Sequence, residues 1–283
     1  MMRALQKGFT LAELVLVIVI IGILGTVIAP IIIGPIESYL DTSRRADLVY
    51  TADTALRRMA RDVHRALPYS LRLNAGETAF EMIHVRDVAR YRENGGGANR
   101  RLQFNGNDSE FNVVGRFENI SARPYSGAAN EDLVVFNLGA TGFNAYDGDS
   151  VIHTGDFTIT TENYSVGGTN YSEDKVTTTG AFPFTTSSPS HRAFITDGAV
   201  SYGCTNGRLY RYPASGVTAF GTTMPSMGTI ATGAVLADNI TACSFSYDPG
   251  SANRPALLMM SLTVSAGGES VNLQHQVHVP NAT

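Results

Sequence analysis

The sequence of 283 residues predicts an α+β protein in which a long N-terminal helix packs on an antiparallel, β-rich C-terminal head. Three observations support this fold class. An uncharged apolar stretch covers residues 14–36, apolar residues then recur at helical spacing up to Leu67, and short β-rich runs alternate with turn clusters after Pro68. A hydrophobic content of 43% excludes a chain that is disordered throughout.

The balance of charge argues against a protein that binds nucleic acid. The chain has 21 lysines and arginines against 25 aspartates and glutamates, a net charge of −4, whereas affinity for nucleic acid rests on a strong positive field. One stretch concentrates four arginines: Arg57, Arg58, Arg61 and Arg65. Asp53 and Asp62 are interleaved with them at helical spacing, which indicates a solvated, salt-bridged helix face. We therefore predict no nucleic-acid partner.

The N-terminal apolar stretch is long enough to cross a membrane. As a helix rising about 1.5 Å per residue, residues 14–36 would cover about 30 Å or slightly more, the thickness of a bilayer core. Arg3 and Lys7 precede this stretch, so the N-terminus should stay in the cytoplasm while the head is translocated.

Two simpler explanations of the apolar stretch are open, a secretory signal peptide and a plain single-span anchor. The A-x-A-like cleavage site of a signal peptide would be Val27-Ile28-Ala29, but Pro30 follows it and is unfavourable there. Neither explanation accounts for Glu13, a carboxylate just inside the apolar run. A charge at the centre of a membrane helix costs about 3 kcal/mol and an interfacial one less, so this carboxylate requires a partner.

The apolar stretch continues into a second, amphipathic helical segment. Pro30 and Pro35 each remove one intrahelical hydrogen bond, so we expect a bend or a loosened stretch there. From Glu37 onward the periodicity predicts an amphipathic helix, which Pro68 should end. Its apolar stripe should pack under the head and consists of Leu48, Ala52, Ala55, Met59, Val63 and Leu67.

The sequence after Pro68 predicts short strands, tight hairpins and exposed loops. Glycine-bearing turns at Thr205-Asn206-Gly207 and at residues 266–269 have hairpin length. Residues 93–99 and 163–190 are rich in Gly, Ser, Thr and Asn and are expected to form exposed, mobile loops. The predicted strands cover residues 79–85, 101–104, 111–117, 132–138, 193–204, 208–212, 240–247, 257–265 and 270–279.

The two cysteines, Cys204 and Cys243, are too few and too far apart for a CxxC redox centre or a four-cysteine zinc site. Their even number in an exported head predicts one disulfide, and the alternative is a pair of unpaired buried thiols. In the chain-entropy interpretation, closing a loop of about 40 residues would stabilise the head by about 4 kcal/mol.

Candidate catalytic and metal-binding groups in the head match no recognised motif. His275 and His278 should point to opposite faces of a strand, which does not suit paired metal ligation. Asp147-Gly148-Asp149 resembles part of a calcium loop but lacks the downstream glutamate, which favours a turn. Ser201 and His191 belong to no nucleophile motif. We therefore predict no cofactor, no metal and no enzymatic activity.

The segment from Lys7 to Leu14, KGFTLAEL, resembles the class III signal of type IV prepilins. In that family a prepilin peptidase cuts after the glycine and methylates the new amino terminus, so the apolar helix is kept. The resemblance implies cleavage between Gly8 and Phe9, N-methylation of Phe9, and Glu13 as the acidic residue of the segment. Because an amine and a carboxylate are each unfavourable alone in an apolar medium, Glu13 of one subunit should neutralise the Phe9 amine of a neighbour.

The resemblance to type IV pilins also implies a domain organisation and a location. The chain would divide into a leader 1–8, a transmembrane and filament-core helix 9–36, an amphipathic helix 37–67 and a head 68–283. It would be a single-pass protein of the inner membrane of a Gram-negative bacterium, with a periplasmic head, and would then enter a pilus on the cell surface. The implied partners are the prepilin peptidase, other major and minor pilins, and the inner-membrane assembly platform.

Several head segments are similar to the O-type minor pilins of the mannose-sensitive haemagglutinin pilus system. These segments are residues 66–72, 190–191, 197–204, 207–212, 243–247 and 271–281. Residues of about 91–189 contain no matching motif. The resemblance implies a low-abundance subunit that starts or caps a pilus fibre, and the large head fits a minor subunit better than one that repeats closely along a thin fibre.

Three other functions are open on the sequence alone. A J-type pseudopilin of a type II secretion system shares the signal, the helix and the β-rich head, and neighbouring secretion genes would identify it. A pilus-tip adhesin would bind glycans, chitin or abiotic surfaces through residues 163–190. A membrane-anchored periplasmic enzyme would need an acid–base or metal cluster that this sequence does not show.

Overall fold

The computed structural model describes residues 8–94, 101–104, 108–128, 130–213, 223–250, 254–279 and 281, and its side chains are described outside residues 29–35. This part of the chain consists of an apolar N-terminal helix followed by an antiparallel β-rich region. The predicted α+β class is confirmed, and the arrangement is consistent with a pilin-like fold.

The N-terminal helix α1 covers Leu11–Val63, a length of 53 residues. Its backbone stays helical through Pro30 and Pro35, where the sequence predicts a bend or a loosened stretch. Each proline removes one backbone donor, and the helical hydrogen bonds of the residues around it hold the helix together. The membrane half and the amphipathic half are therefore one continuous element.

The end of α1 differs from the prediction, which extended the amphipathic helix to Leu67. The helix ends at Val63, with His64 as its C-cap. The next residues join the head instead, because Val85 donates its backbone N–H to the carbonyl of Arg65 at 2.7 Å and Leu67 donates to the carbonyl of Ile83 at 2.8 Å. Hydrogen bonds to a strand thus replace the expected last turn, and the helix ends five residues before Pro68.

The head contains thirteen strands in the described part of the chain, all paired in antiparallel fashion. Two short helical elements interrupt them, a 3₁₀ turn at Ala145–Asp147 and helix α2 at Met227–Ile230. The strands are β1 Arg72–Leu73, β2 Ala79–Arg90, β3 Glu110–Asn112, β4 Asp132–Val134, β5 Val151–Ile152, β6 Phe157–Val166, β7 Thr169–Thr178, β8 Arg192–Thr205, β9 Arg208–Pro213, β10 Ala234–Ala237, β11 Ile240–Asp248, β12 Ala256–Ala266 and β13 Glu269–Val279.

The strands form three sheets, and the long strand β8 lies at the centre of the largest one. One edge of β8 pairs with β2, while its other edge pairs first with β4 and then with β9. Strands β1, β5 and β10 complete this seven-stranded sheet outside β2, β4 and β9, respectively. The other two sheets are three-stranded, with the orders β11-β12-β13 and β3-β7-β6.

Both predicted tight hairpins are confirmed. Thr205 pairs with Arg208 across the β8–β9 turn, and Ala266 pairs with Glu269 across the β12–β13 turn. The two central residues of each turn have positive φ, 52° and 73° at Asn206 and Gly207 and 60° and 87° at Gly267 and Gly268. A two-residue loop of this type matches the twist of its flanking strands and favours Asn and Gly.

The loop expected at residues 163–190 is wrong for residues 163–178, because the ten-residue strands β6 and β7 form a hairpin there, while residues 179–190 lie outside the strands. The pair is in register from Phe157 and Thr178 to the turn. Polar side chains cover most of this hairpin, and Ile159 and Val176 are buried on its inner face. The polar side chains of the outer face gave this segment the composition of a loop. One buried face is nevertheless enough to stabilise a pair of antiparallel strands.

Three shorter predictions also change. Residues 101–104 lie outside the strands, and the strands predicted at 111–117 and 132–138 are reduced to β3 and β4. Of the loop predicted at 93–99, residues 93 and 94 are exposed and the rest lies outside the described residues.

The amphipathic half of α1 is the part of the helix that packs on the head. Its predicted apolar stripe is confirmed from Leu48 to Val63, and Leu67, which follows the helix, is buried as well. Each of the six side chains is at most 5% exposed: Leu48, Ala52, Ala55, Met59, Val63 and Leu67. Most of these residues share one core with side chains of β2, β8 and the β11-β12-β13 sheet. A second core lies between the β3-β7-β6 sheet and the β4 end of the large sheet.

Candidate functional site

The N-terminal third of α1 is an apolar surface that the head does not cover. From Leu11 to Ile28 no residue of the helix is buried, and Phe9 and Leu11 are 82% and 81% exposed. The segment is long and apolar enough to cross a membrane. Because so large an apolar surface is unfavourable in water, this segment requires a bilayer or neighbouring helices around it.

A capping box fixes the first turn of this apolar helix. The Thr10 hydroxyl accepts the backbone N–H of Glu13 at 3.4 Å, while Glu13 Oε2 accepts the backbone N–H and the hydroxyl of Thr10, each at 2.9 Å. The two side chains thereby satisfy donors that the start of a helix leaves without partners. The Glu13 carboxylate also lies at the positive end of the helix dipole, which favours its charge.

The second oxygen of the same carboxylate is open. Within the described residues no donor bonds Glu13 Oε1, whereas both Thr10 donors bond Oε2. An ionised carboxylate has acceptor sites on both oxygens and can hold further donors. The arrangement therefore presents one fixed and partly unsatisfied negative charge on an otherwise apolar surface.

The sequence predicts roles for Gly8, Phe9 and Glu13 but assigns none to Thr10. The role of Thr10 could have been predicted from the spacing T-x-x-E between Thr10 and Glu13, which is the sequence signature of a capping box ahead of an apolar run. The structure describes Gly8 just before this turn, and residues 1–7 of the predicted leader lie outside the described residues.

A buried polar cluster joins the last turns of α1 to the head. Asp62 is 8% exposed, and its Oδ2 accepts hydrogen bonds from the Tyr202 hydroxyl and from Arg211 Nε, the latter at 2.8 Å. Burial acts to raise the pKa of Asp62, but the hydrogen bonds from Tyr202 and Arg211 outweigh it, so the pKa lies below its ordinary value. The helical spacing predicts Asp62 on a solvated, salt-bridged face, but the structure buries it, and Arg58 of that face lies farther away, at 3.8 Å.

The structure joins the Sγ atoms of Cys204 and Cys243 in a disulfide, with the two Cα atoms 6.4 Å apart. Cys204 lies at the end of β8 and Cys243 lies within β11. The covalent link therefore connects the seven-stranded sheet to the three-stranded sheet that packs on α1, close to the hydrogen bond from Phe245 N–H to the carbonyl of Glu77 at 2.8 Å.

The two side chains considered for catalysis, Ser201 and His191, each interact with a different glutamate of the head. Ser201 is buried and donates its hydroxyl to Glu81 Oε1 at 2.9 Å, while His191 Nε2 lies 3.6 Å from Glu93. Ten residues of extended chain separate Ser201 from His191 along β8, about 33 Å. The two groups are too far apart to act as a nucleophile and its base.

The metal candidates also have ordinary structural surroundings. Asp147-Gly148-Asp149 lies in a turn, as predicted, at the end of the 3₁₀ element Ala145–Asp147, with Gly148 at a φ of 84° and both carboxylates bonded to Asn144. His275 and His278 lie on β13. In the described part of the chain, no group of three or more His, Cys, Asp or Glu side chains has a metal-binding arrangement.

Comparison with known proteins adds one finding, and it concerns this N-terminal segment. Residues 3–29 match the family model of the prokaryotic N-terminal methylation motif, a range that includes Gly8, Phe9 and Glu13. No curated protein and no solved structure matches the chain. The chain thus carries a prepilin signal of the type IV pilin kind.

The motif has consequences for processing and location. It indicates a type IV pilin or pseudopilin-like protein, which a prepilin peptidase processes and which assembles with other pilins. Together with the exposed apolar helix it indicates membrane anchoring before assembly. This family is structural rather than catalytic.

Proposed function

We propose that this chain is a minor type IV pilin of the O type of the mannose-sensitive haemagglutinin system, a low-abundance subunit that starts or caps a pilus fibre. The observation that carries the proposal is the methylation motif at residues 3–29. An exposed apolar helix and a β-rich head with its own core follow this motif. The segments of the head similar to O-type minor pilins support the finer assignment.

Processing comes first in this proposal. The prepilin peptidase hydrolyses the peptide bond between Gly8 and Phe9 on the cytoplasmic side of the membrane and methylates the new Phe9 amine. Phe9 precedes the first helical residue by two positions and is 82% exposed. The scissile bond therefore lies outside the helix, where a protease can bind an extended backbone. The disulfide between Cys204 and Cys243 forms after export of the head.

Assembly then depends on the open side of the Glu13 carboxylate. Its Oε2 is held by Thr10, and the proposal gives Oε1 to the Phe9 ammonium of a neighbouring subunit. An ion pair in an apolar medium is favourable only with good geometry, which the capping box supplies by fixing the carboxylate before the neighbour arrives. Glu13 would thereby set the axial register between adjacent helices.

Before assembly the subunit is a single-pass protein of the inner membrane with its head in the periplasm. The assembly platform of that membrane would extract it, and its head would contact other major and minor pilins. The exposed surface from Leu11 to Ile28 would exchange lipid for neighbouring apolar helices on extraction.

The test is piliation of a strain that expresses one of three variants in place of the wild-type chain. Gly8→Ala should leave the precursor unprocessed, which mass spectrometry of the N-terminal peptide detects. Glu13→Gln should be processed normally yet be absent from sheared pili. The matched control, Glu37→Gln, removes an exposed carboxylate of the same helix outside the apolar segment and should behave as wild type. Normal processing of Gly8→Ala and normal incorporation of Glu13→Gln would refute the proposal.

A J-type pseudopilin would pass the same processing test, so the assay needs a second readout. Deletion of the gene should reduce the number of surface pili and leave the secretion of type II substrates into the medium unchanged. Loss of secretion with normal piliation would assign the chain to a secretion system instead.

A further inference from the structure

A groove on the head, beside the end of α1, is positively charged although the chain has a negative net charge. It has a volume of about 870 Å³ and lies between the end of α1, the second half of β2 and the loop after β3. Two carboxylates line it, Asp87 and Glu118. Five arginines line it as well: Arg65, Arg86, Arg90, Arg116 and Arg192. In a chain whose net charge is −4, this excess of arginine is a distinct positive surface.

Two of these charges are committed to the fold. Arg86 forms an ion pair with the buried carboxylate of Glu131. Asp87 is buried, and its carboxylate accepts the backbone N–H groups of Asn119 at 2.7 Å and of Val88 at 2.8 Å. Both groups form part of the wall of the groove, so the charge available to a ligand comes from the remaining side chains.

In the part of the chain that the structure describes, three exposed arginines of the groove have no carboxylate partner. Arg65 donates to the carbonyl of Arg86 at 3.2 Å, and Arg116 donates to the hydroxyl of Ser172. Within the described residues, Arg65, Arg90 and Arg116 form no ion pair, and Glu118 is the exposed carboxylate of the lining. Neutral oxygens do not balance a guanidinium, so these three side chains remain able to bind carboxylates.

The floor of the groove is apolar. Val88 and Val114 are 45% and 55% exposed among the arginines, and Phe194 lies buried opposite Val88 on β8. Exposed valines inside a charged groove suit a ligand that carries small apolar side chains as well as acidic ones.

The edge of β2 is also uncovered at one point in the groove. Tyr91 donates its N–H to the carbonyl of His191 across the ladder, so the alternation of antiparallel pairs turns the carbonyl of Val88 away from β8. The carbonyls on either side are covered, that of Arg90 by Val114 N–H and that of Arg86 by the Asn119 side chain. Within the described residues nothing donates to the carbonyl of Val88.

We propose that this groove binds an extended, acidic segment of another polypeptide. Its carboxylates would pair with Arg65, Arg90 and Arg116, its small apolar side chains would cover Val88 and Val114, and one of its backbone N–H groups would bond the Val88 carbonyl. This mode combines charge complementarity with one main-chain hydrogen bond to a strand edge.

Other polyanions fit the groove less well. About 53 Å of helix separates Ile28 from the end of α1, which keeps lipid headgroups out of reach. A sugar–phosphate backbone would leave the exposed valines uncovered, and Phe194, the phenyl ring of the lining, is buried and cannot stack on a base. The proposal concerns the head alone and stands whether or not Glu13 acts in assembly.

The experiment measures binding of the full chain, in detergent micelles, to an immobilised ten-residue peptide of alternating glutamate and valine. Arg65→Gln, Arg90→Gln and Arg116→Gln should each weaken the affinity about two- to fivefold, and the triple variant about 10- to 100-fold. The matched control is Arg254→Gln, an exposed arginine paired with Asp248 outside the groove, which should bind as wild type. Glu118→Gln removes the exposed carboxylate of the groove and should tighten binding about twofold.

Two further measurements separate the possible ligands. Val114→Ser should weaken binding of the glutamate–valine peptide and leave binding of polyglutamate unchanged. Equal affinity of the triple variant and the wild type, with both folded by circular dichroism, would overturn the proposal. Tighter binding of a duplex oligonucleotide than of the peptide, with the same arginine dependence, would overturn it in favour of nucleic acid.

Discussion

The two ends of α1 share one continuous helical backbone and have opposite surroundings. Leu16 in the first half is 60% exposed, whereas Leu56 in the second half is 2% exposed beneath the head. The carboxylates differ in the same way. Glu13 is bonded to its own first turn at the exposed end, while Asp62 is bonded to residues of two distant strands at the buried end.

The difference shows which part of the helix the chain stabilises by itself. The second half gains its stability from the core that it shares with the sheets, as most helices of globular proteins do. From Leu11 to Ile28 the head buries no side chain of the helix, so the apolar surface there requires lipid or other subunits around it. Changes to the second half should therefore alter the folding of the head, and changes to the first half should alter membrane insertion and assembly.

The largest effect on head stability is expected from removal of the disulfide. The double variant Cys204→Ser with Cys243→Ser should lose about 4 kcal/mol of unfolding free energy, because the loop between the two residues is no longer closed in the unfolded chain. Guanidinium unfolding of the full chain in detergent, followed by tyrosine fluorescence, measures this change. Wild-type protein treated with a reductant serves as the control and should show the same shift. An unchanged midpoint would mean that the shared core and the hydrogen bonds hold the two sheets together without the covalent link.

The same substitution at the two ends of α1 tests the comparison directly. Leu56→Ala should lower the unfolding free energy of the head by about 3 kcal/mol, because it leaves a cavity in the core. Leu16→Ala should change it by less than about 0.5 kcal/mol, because its side chain touches no part of the head. Similar losses in both variants would show that the apolar end contributes to the folding of the head.

Asp62, the buried carboxylate at the head end of α1, should make the free energy of unfolding depend on pH in the acid range. Because the pKa of Asp62 is lowered in the folded state, its contribution is present above the unfolded value of about 4 and is lost as the pH falls through the folded value. Asp62→Asn should therefore lose about 1–3 kcal/mol at pH 7 and depend less on pH below about 4. Unfolding midpoints between pH 2 and pH 7 measure both effects.

Asp132 provides the control with the opposite sign. Burial raises its pKa, and its Oδ2 has no hydrogen-bond partner in the described part of the chain. Its contribution is present below its unfolded value and is lost as the pH rises through its folded value, so Asp132→Asn should shift the acid limb in the direction opposite to Asp62→Asn. Parallel shifts in the two variants would contradict the assignment.

The smallest effect is expected at the first turn of the helix. Thr10→Ala removes the N-cap and should destabilise the first turn locally by about 1 kcal/mol, with no change in the unfolding of the head. Hydrogen exchange of the backbone amides at residues 10–14 should become faster, while exchange in β12 stays the same. Unchanged exchange at the first turn would mean that the surrounding apolar medium holds it without the cap.

Features that depend on local sequence could be predicted. Helical spacing identified the stripe from Leu48 to Val63, because a buried helix face repeats every three to four residues. Turn chemistry located both tight hairpins, because Asn-Gly and Gly-Gly favour the backbone that such turns require. The motif around Gly8 and Glu13 is likewise contiguous and could be read directly.

Features that depend on distant residues could not be predicted. Asp62 is bonded to Tyr202 and Arg211, which are 140 and 149 residues away along the chain, whereas its helical spacing predicted only a solvated face shared with neighbouring arginines. The helix ends early because β2 takes up the backbone groups of Arg65 and Leu67. The sequence predicts a strand at 79–85, but its hydrogen bonds to these residues depend on the tertiary fold and have no local signal. The groove beside α1 also draws its arginines from four separate segments of the chain.

The continuity of α1 makes it a lever arm. Its 53 residues give it a length of about 80 Å, with the Thr10 and Glu13 turn at one end and the head clamped at the other. A tilt of about 5° at the first turn would displace the far end by about 7 Å, several times the size of the motion at its origin. The pairing of the Glu13 carboxylate with a neighbouring subunit would thus determine the position of the whole β-rich head.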